Sequence, residues 1–254
     1  MSTQFTNILS PPGQVVYEYP LDGKTPPPAH IPSTFIEALS VRISVFVDEQ
    51  SCALDKEIDS DDTRSWHWVV YASVSGPTID NGSNGERRTS QGGKVAVGTI
   101  RLIPPPHAPH PIPGKHYAGD ELGSPAETSS LQTATADQAT TLHDGREAYV
   151  KLGRLATLKE YRRLGLGRLL VNAALEWVSK NKDKVQDSRG TDPVERENWG
   201  LRREWKGLVL IHAQGEMERW WRMMGFVRDE GMGEWWEEGI RHVGMWRRMD
   251  VRNG

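Results

Sequence analysis

Apolar positions along the chain recur with two periods and divide it into alternating elements. Ile36, Leu39, Ile43 and Phe46 fall at helical spacing, and Thr34 with Glu37 has the spacing of a capping box, which predicts a first helix. Trp66 to Val74 and Lys94 to Ile103 read as strands. The stretch 75–93 between them, full of Gly, Asn, Ser and Thr, reads as a hairpin connection with a long loop. Glu147 to Leu158 reads as a buried strand. The strongest helix follows, with Leu166, Leu169, Leu170, Ala173, Ala174, Trp177 and Val178 on one apolar stripe. Gly207 to Ala213 is a short apolar strand. Met217, Trp220, Trp221 and Met224 mark a short helix that stops at Gly225, and Arg241 to Met249 reads as a final strand.

The remaining segments break the pattern. Residues 1–32, rich in Pro and polar side chains, read as an irregular arm with a short strand at Gln14 to Tyr19. The segment 104–146 opens with three prolines and holds no period, and 179–206 is strongly charged. The expected fold is α/β, with a single mixed central sheet flanked by helices. One domain over 33–254 would carry three insertions, at about 75–93, 104–146 and 179–206.

Composition narrows the function classes. The chain has 254 residues and a formal net charge of -3, so it has no field to steer nucleic acid, and no nucleic-acid partner is expected. Cys52 is the one cysteine, which excludes an intramolecular disulfide and fits a reducing compartment. Met1 to Val16 lacks the basic start and apolar core of a secretory signal. No apolar run approaches the roughly 20 residues that span a bilayer. A soluble intracellular protein, cytoplasmic or nuclear, with no membrane role is the expectation.

The segment Arg162-Arg163-Leu164-Gly165-Leu166-Gly167 lies between the buried strand and the strongest helix. A helix N-terminus leaves amide N–H groups unpaired and carries positive potential, so it suits an anion. Glycine at 165 and 167 lets phosphate oxygens come close, and Arg162, Arg163 and Arg168 add charge that pairs with phosphate. A P-loop would need Gly-Lys-Ser/Thr where the chain has Gly-Arg-Leu, and a dinucleotide fingerprint would need a third glycine where it has Leu170.

Arg162-x-x-Gly165-x-Gly167 after a strand and before an apolar helix resembles the acyl-CoA signature of the GNAT acetyltransferase superfamily. Arg42-Ile-Ser-Val-Phe-Val-Asp-Glu-Gln50 resembles the first helix of one branch, which reads Arg-x-x-Val-Phe-Val-x-Glu-Gln. Gly98-Thr-Ile-Arg-Leu102 and Gly153-Arg-Leu-Ala-Thr-Leu158 fit the family's third and fourth strands. Gly225-Phe226 fits the end of the helix after the fifth, and Glu237-Glu-Gly-Ile-Arg-His242 followed by Met245 resembles that branch's C-terminal motif. The resemblance implies splayed parallel fourth and fifth strands with the pantetheine arm of acetyl-CoA in the gap, held by the backbones of Leu155, Ala156 and Thr157. Its pyrophosphate would sit on Arg162, Arg163, Leu164, Gly165, Leu166, Gly167 and Arg168.

The resemblance further implies N-acetyl transfer from acetyl-CoA to a small primary amine by direct attack in a ternary complex, with no metal. Glu237 and His242 are the candidates to take the amine's proton. Phe46, Glu49 and Trp221 are the acceptor-binding candidates. The family often has a tyrosine acid where this chain has Trp221, whose indole N–H only donates. A CoA-binding protein without turnover therefore stays open, as does a peptide or protein N-acetyltransferase. Arg42, Phe46, Glu57, Asp59, Asp62 and Arg101 also resemble a cluster of the acyl-homoserine lactone synthases, which lack the Arg-x-x-Gly-x-Gly turn; a structural ion-pair network is the favoured reading. His107, His110 and His116 match no standard metal spacing. Of the five C-terminal tryptophans, most should be core, and one or two are candidates to wall the acceptor site or a homodimer face.

Overall fold

A computed structural model describes residues 6–74, 93–118, 138–187 and 205–251. Nine strands among these residues form one mixed sheet: β1 (Thr6–Leu9), β2 (Trp66–Val74), β3 (Gly93–Ile103), β4 (His116–Tyr117), β5 (Tyr149–Thr157), β6 (Leu208–Gln214), β7 (Val227–Arg228), β8 (Glu234–Glu237) and β9 (Ile240–Arg248). Their order is β1-β2-β3-β5-β6-β9-β8-β4, with β7 pairing β9 off this path. The helices are α1 (Ser33–Arg42), α2 (Leu166–Lys180), α3 (Lys182–Asp187) and α4 (Glu218–Met223). The expected α/β fold with one mixed sheet is the observed one.

Strand periodicity decides which helix covers which face. Trp66, Trp68 and Val70 of β2 point into the core under α2, whereas Val69 and Tyr71 pack with Ala38 of α1 on the other side. Gly98 permits the close approach of α2. A Cβ there would lie 2.9 Å from the Val70 side chain and 3.2 Å from that of Leu170.

Several sequence expectations are corrected. Gln14 to Tyr19 is not a strand; Gly13–Glu18 is a 3₁₀ turn that places Val16 against Ile31, Phe35 and Leu39, and the arm's strand is Thr6–Leu9, paired to β2. The capping box does not form: α1 starts after Pro32 with no side-chain cap, and Glu37 accepts a 2.7 Å hydrogen bond from the Tyr71 hydroxyl. On α2, Leu169 is exposed while Val171 and Leu175 are buried, because the helix turns toward β2 and β3. The short strands β4, β7 and β8 had no periodic signal. Residues 75–92, most of one insertion, lie outside the described residues, as do parts of the other two.

Two deviations from regularity shape the site. α1 continues without a break into a π-helical segment, Ile43–Glu49, a form that recurs at functional sites. β5 and β6 run parallel and pair from Tyr149↔Leu208 to Leu152↔Ile211, where the pairing stops, although β5 continues to Thr157. Arg154, just past that point, has φ of +50°, which a non-glycine residue rarely adopts.

Candidate active site

The phosphate turn follows directly from β5. Lys159–Tyr161 makes a 3₁₀ turn, Arg163 and Gly165 take left-handed φ values of +65° and +81°, and α2 begins at Leu166. Among the described residues, no amide from residues 163 to 168 donates to a backbone carbonyl; the first to do so is Leu169, to Gly165 at 3.0 Å. A Cβ on Gly165 would meet nothing within 4 Å, so the turn is open above it. A Cβ on Gly167 would meet the Trp220 ring at 3.4 Å, so Trp220 walls the other side. The arrangement is a nest of unpaired donors at the positive end of a 15-residue helix.

The arginines divide their work. Arg162 is turned away from the nest: its Nε donates to the Thr157 carbonyl at 3.0 Å and one guanidinium nitrogen lies 2.9 and 2.7 Å from the two oxygens of Glu49. Arg163 and Arg168 are exposed and make no side-chain hydrogen bond among the described residues. Leu164 stands 67% exposed beside them. Leu155, Ala156 and Thr157 have β3 along one edge, with Ala156 opposite Thr99 and Thr157 opposite Gly98, and no strand of the described residues along the other.

On the far side of the gap, the end of the π-helical segment meets β6: the Gln214 side chain donates to Gln50 at 2.9 Å. Phe46 is partly buried there, near Val41, Val45 and Ala156. Glu237 does not pair with His242 through any hydrogen bond among the described residues. Its Oε1 accepts from the Trp235 indole at 2.7 Å and lies 3.3 Å from Nδ1 of His212. Nδ1 of His242 sits 2.8 Å from the Ile240 carbonyl. Burial alone would raise the Glu237 carboxyl, but His212 and His242 outweigh it and hold it well below the usual carboxylate range. Burial and the Lys151 charge push His212 down to about 3. Lys151 is itself lowered, by burial first. His212 and Lys151 were not identified from the sequence. The available signal was one imidazole inside the apolar run Leu208 to Ala213 and one lysine inside the buried β5.

The acidic cluster is an ion-pair network, as favoured. Arg42, 1% exposed, bonds Glu57 at 3.0 Å and Asp62 at 2.8 Å; Arg101 bonds Asp59 at 2.6 Å and Asp62 at 2.7 Å; Arg154 reaches Asp59 at 3.0 Å. Three cations face three carboxylates, so the interior charge is balanced. Burial would raise Asp62, but Arg42 and Arg101 together lower it. The network packs the loop 50–65 against β3 and β5 and fixes the start of the gap.

Other candidates resolve into packing. His107 stacks on Tyr149 with centroids 4.4 Å apart, and Nε2 of His110 lies 3.1 Å from Nδ1 of His143. His116 stacks on Trp236. Among the described residues no group of three His, Cys, Asp or Glu could hold a metal ion. Trp221, Trp235 and Trp246 are buried, and Trp221 packs edge-on against Phe226 with centroids 5.1 Å apart. No helix of the described residues is long and apolar enough to cross a membrane.

Residues 89–185 match the model of the acetyltransferase (GNAT) family. That stretch runs from the region of β3 through the phosphate turn and all of α2, and there the chain is similar to the GNAT acetyltransferases. No curated protein matches the sequence. Among solved structures, a Lactobacillus plantarum protein described as an N-acetyltransferase is 18% identical, with 96% of this chain and 98% of that chain covered and a TM-score of 0.48. Escherichia coli ElaA is 16% identical, with coverages of 96% and 98% and a TM-score of 0.47. The CoA-dependent acyl-homoserine lactone synthase BjaI is 14% identical, with coverages of 98% and 84% and a TM-score of 0.47.

Proposed function

We propose that this protein is an N-acetyltransferase that moves the acetyl group of acetyl-CoA to a primary amine of a small molecule. One observation carries the reading. The unpaired amides of residues 163–168 and the unpaired edge of β5 beyond Leu152 lie on one continuous stretch of chain, inside the segment that matches the acetyltransferase family. The turn amides with Arg163 and Arg168 would take the pyrophosphate, Arg162 joining once released from Glu49. The free edge at Leu155 to Thr157 would take the amides of the pantetheine arm.

The thioester then lies in the gap between β5 and β6, and the amine approaches from the side of Phe46, Glu49 and Trp221. Direct attack on the thioester carbonyl needs an unprotonated amine, so the site must drain a proton, and the buried groups around Glu237 are the ones to take it. The thiolate leaves beside Trp221, which has no acidic proton to give.

The test is thiol release from acetyl-CoA across a panel of small amines, alongside calorimetric binding of CoA. Release with at least one amine is the expected result. Tight CoA binding with every amine inert would leave a binding protein and overturn the enzyme reading. Release with peptides alone would move the acceptor class to peptide N-termini or lysines.

A further inference from the structure

We propose that His212 is the catalytic base that receives the acceptor amine's proton, and that Glu237 is a positioning residue holding its imidazole. The inference deepens the acyltransferase reading and rests on it.

Position comes first. His212 is the first residue of β6 beyond the last β5–β6 pair, Leu152↔Ile211. The neighbouring position on β5 is Gly153, where a side chain would meet nothing within 4 Å. An imidazole therefore stands beside open space at the level where the two strands part. On its other edge β6 stays paired, with His212 opposite Gly244 of β9, so the backbone that carries the ring is fixed from the sheet centre.

Orientation comes next. Glu237 lies 3.3 Å from Nδ1, and the Trp235 ring packs edge-on against the imidazole with centroids 4.8 Å apart. Trp235 also fixes the carboxylate through its indole N–H. A carboxylate at Nδ1 selects the tautomer with the proton there, which leaves the Nε2 lone pair as the acceptor. Nε2 has no hydrogen-bond partner among the described residues, and His212 lines a cavity of about 40 Å3 with Lys151, Tyr149 and Asp61.

Charge completes the case. The groups facing the ring are Lys151 on β5, Glu237 on β8, His242 on β9, and Asp61, His107 and His110 from the covering loops. Burial and Lys151 keep His212 neutral at ordinary pH, so its Nε2 carries a lone pair. Glu237, held ionised, then stabilises the imidazolium as it forms. The balance is simple. The amine nitrogen bonds the acetyl carbon, the carbon–sulfur bond breaks, the nitrogen's proton passes to Nε2, and the thiolate later takes a proton from solvent.

Two measurements test this. In the first, nitrogen NMR of the histidines, assigned with His212→Asn, should find a neutral ring protonated at Nδ1 at pH 7, a preference weakened in Glu237→Gln. A charged ring, or one protonated at Nε2, overturns the proposal whether or not any amine is consumed. In the second, on an amine that wild type acetylates, His212→Gln should lower kcat by about a hundredfold or more while CoA affinity stays within about twofold. Glu237→Gln should shift the pH profile of kcat, and Glu237→Asp should recover part of the rate. His212→Gln at the wild-type rate would sink the base role and leave the acyltransferase reading standing. Silence of wild type with every amine would remove both.

Discussion

Arg162 of the phosphate turn is bound to Glu49 at the end of the π-helical segment, with one guanidinium nitrogen 2.9 and 2.7 Å from the two carboxylate oxygens. The pair ties the turn before α2 to the end of the π-helical segment. It is largely exposed, so it holds Arg162 by no more than about 1 kcal/mol. A pyrophosphate with its own charge can therefore displace Glu49. Glu49→Gln should tighten CoA binding by up to about fivefold at low salt, within that limit. Arg162→Ala should weaken it by about tenfold, the scale of a charge-assisted bond. Calorimetry at two salt concentrations measures both, and equal affinities in all three proteins would show that Arg162 serves only the loop contact.

The two glycines of the turn should respond differently to alanine. Gly165 has open space but a φ of +81°, so Gly165→Ala strains the backbone by about 1–2 kcal/mol. Gly167 lies in α2 with 3.4 Å to the Trp220 ring, room for a methyl group and no more. Gly165→Ala should weaken CoA binding by about tenfold or more, which matches that strain. Gly167→Ala should stay within about threefold. Gly167→Val would collide with Trp220 and should behave like Gly165→Ala.

Removing one charge from the buried network should unfold more than the site. Arg42→Ala leaves Glu57 and Asp62 without their shared partner, at 1% exposure for the arginine. The expected loss is about 3–5 kcal/mol in urea denaturation. A loss under about 1 kcal/mol would mean that water reaches the carboxylates and that the cluster is not sealed.

Stability should decline on the acid side of neutrality because of buried imidazoles. His67 is held down to about 4, by burial first and by Arg101 and Arg42 against the opposing pull of Asp62, and His212 down to about 3. In the unfolded chain both titrate near their ordinary value, so below about pH 6.5 the unfolded chain takes protons that the fold refuses. The contribution is whole above about 6.5 and is lost as pH falls toward 4. Asp59 and Asp62 are held below the usual carboxylate range, so what they contribute is lost only below about pH 5. Urea midpoints should drop between pH 7.5 and pH 5, and His67→Gln should flatten the drop; an identical slope in that variant would assign it elsewhere.

What was legible in the sequence was local. The phosphate turn is six consecutive residues between a strand and a helix, so the amides, glycines and arginines that define it are neighbours in the chain. β2, β3, β5 and α2 showed through their own periodicity, within a residue or two of the observed bounds. The short strands β4, β7 and β8 were not legible, because two to four residues carry no period and their pairing depends on β9 and on each other.

The chain by itself therefore determined the glycine- and arginine-rich turn at the start of α2, and the likeness carried by its motifs is what suggested an acyl-CoA donor. The partnerships inside the site came only with the tertiary structure. Glu37 left its expected cap for Tyr71, Arg162 turned from the nest to Glu49, and Glu237 met His212, which the sequence did not single out. Each of these joins residues on different elements, between 25 and 113 positions apart. Such a pair depends on strand register and on where β5 and β6 part, and both are set by the packing of the whole sheet, which no local stretch encodes.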